Sequence, residues 1–149
     1  MTCASLTRIA DFQQRPFDVV PLDHKDWETG DYAVGEVTAV SRSTRLELTT
    51  GRITEVAVGE SIVGALGVRA ATLEAVGSWQ DVQDDQAMQA MTAAGLLGRV
   101  TSQSRYIKRQ PIDLVYRGHV MRSDQKLRMR DFVQPPASPG LAIECPVLL

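Results

Sequence analysis

The residues best suited to chemistry fall in one predicted hairpin. Val115–Met121 and Leu127–Val133 read as two strands turning at Ser123-Asp124-Gln125-Lys126. With Asp124 and Gln125 as the two turn residues, Arg122 faces Leu127, Met121 faces Arg128 and His119 faces Arg130. Side chains alternate across a strand. Arg117, His119 and Met121 are therefore expected to share a face with Arg128, Arg130 and Phe132. Three guanidiniums and an imidazole on one face would hold a carboxylate or phosphate through charge-assisted hydrogen bonds. The opposite face, with Tyr116, Val120, Leu127 and Met129, is expected to be core. The plainer reading is a solvated outer face whose charges oppose edge-to-edge pairing. A one-residue change of register dissolves the cluster.

A second grouping is Asp23-His24-Lys25-Asp26-Trp27. Asp23, His24 and Asp26 bring an imidazole close to two carboxylates, the parts of a general base whose ring a carboxylate orients. Adjacent side chains rarely converge on one point, so the plainer reading is an exposed polar loop pinned by Trp27. A third is Gly64-Ala65-Leu66-Gly67-Val68-Arg69, where glycines near a strand end would let backbone amides approach a phosphate. Close backbone packing explains the same glycines. No GxGxxG, Gly-Lys-Ser/Thr, GxSxG, HExxH or paired-cysteine motif occurs in the chain.

These groups must be positioned by β structure. Tyr32–Val40 is rich in Val with Gly35 inside it, suggesting a bulge or bend. Leu46 and Leu48 alternate with Glu47 and Thr49, and Thr50-Gly51-Arg52 reads as a turn into Ile53–Val58. Ile62–Val68 is apolar on both faces and reads as a buried strand. Residues 84–95 read as a helix, capped by Asp84 or Asp85, striped by Met88 and Met91 and closed by Gly95. Gly35-Glu36-Val37-Thr38-Ala39-Val40-Ser41-Arg42 is echoed by Gly98-Arg99-Val100-Thr101-Ser102-Gln103-Ser104-Arg105, with five of eight positions identical. The expected fold is mainly β: two related small β units, a sandwich or fused small barrels, with one connecting α-helix. The expected organisation is an N-terminal arm (1–30), a first β unit (31–80), the connecting helix (81–96), a second β unit (97–133) and a Pro-rich C-terminal tail (134–149).

Charge and composition narrow the function classes. The chain of 149 residues has a net charge of −2, which argues against a general nucleic-acid-binding role. Its distribution is uneven: residues 99–130 hold nine basic residues against Asp113 and Asp124, a local net of +7. Arginine supplies 13 of the 16 basic residues and asparagine is absent, the bias of a GC-rich genome. No apolar run approaches the ~20 residues that span a bilayer. The first residues show neither the basic nor the apolar segment of a secretory leader. Cys3 and Cys145 read as reduced thiols in a bacterial-type cytoplasmic protein, with a disulfide joining the ends as the alternative.

Two functions follow. One is a non-catalytic small-molecule (anion) binding or assembly domain, homodimeric, recognising an anionic small molecule or an acidic protein surface. The other is a small enzyme acting on an anionic metabolite, with His119 or His24 as acid–base and Arg128 or Arg130 as the anion clamp. Neither calls for a cofactor, a metal, nucleic acid or a membrane.

Overall fold

Valine and small residues on both faces of Tyr32–Ala39 make it a strand that must be covered twice. The computed structural model describes residues 1–41, 44–71, 73–106 and 110–134 and covers it in that way. In chain order the strands are β1 (Thr2–Cys3), β2 (Asp18–Val20), β3 (Tyr32–Ala39), β4 (Leu46–Glu47), β5 (Ile53–Thr54) and β6 (Ser61–Leu66). They continue as β7 (Val68–Ala71), β8 (Ala75–Ser78), β9 (Ala87–Ala90), β10 (Leu96–Gln103), β11 (Ile112–Arg122) and β12 (Gln125–Lys126). The protein is mainly β, and the helical pieces among the described residues are single 3₁₀ turns.

One large mixed sheet takes in all strands except the β4–β5 pair. Its central order is β6-β3-β11-β9-β10, and β10 also pairs with β6 in parallel, so the path of hydrogen bonds returns to its start. Ala33 and Val37 of β3, Ile62 and Leu66 of β6, Met88 of β9, Leu97 of β10 and Leu114 of β11 pack into one core. Tyr32, Val34, Val63, Ala65 and Val120 point the other way into a second cluster. Phe12 and Phe17 of the first thirty residues and Phe132 cover that cluster, with Phe12 at 4.9 Å from the Tyr32 ring. Residues 1–30 are thus docked: β1 lies parallel to β6, β2 antiparallel to β11, and Ala4 is fully buried.

The segment expected to be a helix, within 81–96, is strand instead. Asp84-Asp85 lie in a turn, Gln86 takes a positive φ of 54°, and β9 follows. Its neighbours β10 and β11 offer hydrogen-bonding edges on both sides, and that pairing overrides the helical propensity of Ala, Met and Gln. Burial then follows a period of two, with Met88 and Ala90 inward. Met88 and Met91 occupy space that glycine leaves open. A Cβ on Gly35 would meet Met88 Cε at 2.9 Å, and one on Gly98 would meet Met91 Cε at 2.8 Å. Those glycines head the two similar segments, which begin on β3 and β10 of the same sheet and run past the strand ends, with Arg42 outside the described residues. Residues 135–149, most of the Pro-rich tail, and with them Cys145, also lie outside; Cys3 is a free thiol. No helix among the described residues is long and apolar enough to cross a membrane.

Candidate functional site

Strand β11 carries an irregularity that decides what its side chains meet. Tyr116 pairs with Gly35 and Gly118 with Val34, leaving Arg117 as an extra residue. Such a bulge changes the parity of the strand. Tyr116 and His119, three apart, therefore turn to the same side, and Tyr116 Oη lies 2.6 Å from His119 Nδ1. Arg117 points outward and pairs with Glu36 at 3.0 Å. Gly118 permits the bulge because β2 crosses closely: a Cβ there would meet Val19 Cγ1 and the Val20 carbonyl carbon at 2.8 Å. The expected shared face of Arg117 and His119 is thereby corrected. The signal was present in Arg117-Gly118-His119, since glycine inside a strand pattern marks a bulge or a close approach.

The hairpin register is corrected as well. Arg122 faces Gln125 and Met121 faces Lys126, so Ser123 and Asp124 are the turn residues, with φ of 49° and 61°. Two central residues with positive φ give the turn that matches strand twist. The partner strand ends at Lys126. Leu127 accepts a hydrogen bond from the Tyr32 amide, the Met129 amide donates to Gly30 at 2.8 Å, and Met129–Phe132 forms a 3₁₀ turn. Residues 127–133 are therefore not a strand facing His119, and this crossing carries Lys126, Arg128 and Arg130 to residues 28–31.

There a buried polar chain forms. His119 and Asp31 are both fully buried, with His119 Nε2 3.2 Å from Asp31 Oδ2, near enough for attraction but not aligned as a hydrogen bond. Asp31 Oδ2 accepts from the Glu28 amide at 2.8 Å and from Lys126 Nζ at 2.9 Å. Asp31 Oδ1 has no hydrogen-bond partner among the described residues. Burial works to raise the Asp31 pKa, but His119, Lys126 and the Glu28 amide outweigh it and hold the carboxyl below its ordinary range. Burial pushes the Tyr116 phenol up to about 12, so it stays protonated. Tyr116 Oη also accepts from the Leu22 amide at 3.1 Å. The Tyr116 hydroxyl thus joins the Leu22 amide to His119 Nδ1, while the other ring nitrogen, Nε2, faces Asp31.

Trp27 closes this chain, with its ring centroid 4.3 Å from Tyr116 and 5.4 Å from His119. Trp27 also lines a polar cleft of about 470 Å³ together with Asp23, His24, Gln80, Gln83 and Asp84 among others. The second predicted grouping does not converge there. His24–Asp26 is a 3₁₀ turn, Asp23 pairs with Lys25 at 3.3 Å, and His24 lies against Trp27 and Trp79 with Nε2 3.2 Å from the Trp79 carbonyl. Asp26 meets the first grouping through its backbone carbonyl, which accepts from Lys126 Nζ. Gly64 serves packing: a Cβ there would lie 2.2 Å from the Gly95 carbonyl oxygen. No group of three or more metal-ligating side chains occurs among the described residues.

At the surface end of the chain the cations gather on one carboxylate. Arg128 Nη1 and Arg130 Nη2 lie 3.4 and 3.2 Å from Glu28 Oε2, and Lys126 Nζ lies 3.5 Å from Oε1. Asp131 stands 3.8 Å from Arg128 Nε, a buried donor without a hydrogen-bond partner. A hollow of about 420 Å³ opens here, lined by Gln125, Lys126, Leu127, Arg128 and Asp131. Of the four residues expected to bind an anion, Arg128 and Arg130 come together, His119 lies behind them beneath Asp31, and Arg117 stands apart. Sequence reasoning missed Glu28, Asp31, Tyr116 and Lys126, whose roles depend on long-range register. Comparisons with protein-family models, curated proteins and solved structures gave no match to this chain.

Proposed function

We propose that the protein is a non-catalytic binding domain for small anions, using the surface around Lys126, Arg128 and Arg130. The observation that carries this reading is the convergence of three cationic side chains on the single, half-exposed carboxylate of Glu28 beside an open hollow. Guanidinium forks suit oxyanions because their planar donors match two oxygens at once. Binding is favoured over turnover by the burial of His119, whose neighbouring carboxylate would otherwise make an acid–base pair. A ring without solvent exposure has no path to a substrate proton.

The test is thermal denaturation of the purified protein with phosphate, carboxylic acids and nucleotides. A ligand at a hundred times its Kd stabilises the native state by about 2.7 kcal/mol. The expected result is a shift with one anion class that disappears in the Arg128→Ala, Arg130→Ala double variant. The variant itself should stay within about 1 kcal/mol of the parent, since both arginines pair with carboxylates at the surface, where ion pairs contribute little. A shift that survives both substitutions would place the ligand elsewhere.

A further inference from the structure

We infer that Glu28 is a tethered occupant of the anion site, holding the place that a phosphate or phosphomonoester takes when it binds. The inference rests on the anion-binding reading above and adds its ligand class and its regulation.

Three features of Glu28 distinguish it from an ordinary surface partner. Its carboxylate meets Lys126, Arg128 and Arg130 at 3.2 to 3.5 Å, all longer than the roughly 2.8 Å of a well-formed charge-assisted bond. A two-oxygen group therefore spans three donors without satisfying any of them closely. A phosphate presents three oxygens and fits that donor count better. The Glu28 side chain is also 49 % exposed, while its backbone amide is fixed on Asp31 Oδ2 at 2.8 Å. Rotation about the side-chain bonds alone frees the site without disturbing the turn. With Glu28 turned out, Lys126 keeps Asp31 and Arg128 keeps Asp131, both beside the hollow, while Arg130 keeps no carboxylate among the described residues, so positive charge is in excess there.

Displacement of this kind makes the site selective. A weak monoanion gains little over the carboxylate already there, whereas a phosphate dianion gains charge and a third oxygen. It also sets the affinity below what the three cations alone would give.

The experiment is calorimetric titration of inorganic phosphate, and separately acetate, into the parent protein and the Glu28→Gln variant at low ionic strength. Glutamine keeps the shape of the side chain and removes its charge. Phosphate is expected to bind the variant about five- to tenfold more tightly than the parent, the range set by losing a few weak ion pairs. Equal phosphate affinity in both would overturn the inference while leaving anion binding intact. Tighter binding of acetate than of phosphate to the variant would overturn the ligand class. Absence of binding to both proteins would instead defeat the anion-binding reading itself. Phosphate binding to Glu28→Gln should vanish when Arg128→Ala and Arg130→Ala are added; its survival would also overturn the inference.

Discussion

His119 and His24 both lie against Trp27, at ring-centroid distances of 5.4 and 4.9 Å, yet their surroundings differ in kind. His24 has acidic neighbours in sequence, Asp23 and Asp26, and engages neither side chain; its polar contact is the Trp79 carbonyl. His119 has no acidic neighbour within four residues, yet it meets a carboxylate brought by Asp31, the residue just before β3. A polar group in water keeps its options, while one inside the core must be partnered at once, because desolvation is costly. Burial, not local composition, selects the histidine that acquires a network.

That contrast can be broken first at Asp31. Asp31→Ala leaves Lys126 without its closest carboxylate and His119 without its only one among the described residues. Breaking a buried charged pair from one side costs about 3–5 kcal/mol, measurable by urea denaturation. The same residue sets an acid limb. Because the folded Asp31 pKa lies below its unfolded value, its contribution is present above about pH 4 and is lost as the pH falls through the folded value. Asp31→Asn should flatten that limb. A limb unchanged in Asp31→Asn would deny the carboxylate its role.

Gly118→Ala comes next. The added methyl meets β2 at 2.8 Å, and such overpacking costs about 1–3 kcal/mol. It should also separate Tyr116 from His119, visible as a changed His119 imidazole resonance. Tyr116→Phe keeps the ring against Trp27 but leaves the Leu22 amide and His119 Nδ1 unpaired, a loss of about 1–2 kcal/mol by the same denaturation. At the other end of the comparison, His24→Ala should cost about 0.5 kcal/mol, the size of an ordinary surface substitution. A cost above that of Tyr116→Phe would erase the distinction between the two histidines.

The readable parts of the chain were those governed by short-range pattern. β3 and β6 follow their valine-rich and apolar runs, and β11 with a turn after it was visible, but the returning strand is Gln125–Lys126 and not the expected Leu127–Val133. The turn itself was displaced by one residue, because Ser123 rather than Gln125 takes positive φ. Met88 and Met91 misled, since a spacing of three fits a helix face, whereas Met88 lies inward on β9 and Met91 follows the strand's end. His119, Arg128 and Arg130 were identifiable as candidates from residue type alone. Their partners were not, because Asp31 and Glu28 reach them only through the Asp31–Arg128 bridge and the bulge at Arg117. Neither leaves a periodic trace.

The order in which the sheet's central strands leave the ribosome gives the fold a vulnerable interval. β6 follows β3 closely, but β11, the other neighbour of β3, emerges only after seven intervening strands. Until then the nascent chain holds β3 with the backbone groups of one edge unpaired. Pairings so distant in sequence are slow to close and open to capture by other chains. Translation intermediates that stop before Ile112 should therefore be held by chaperones, whereas those that have released Arg122 should resist proteolysis.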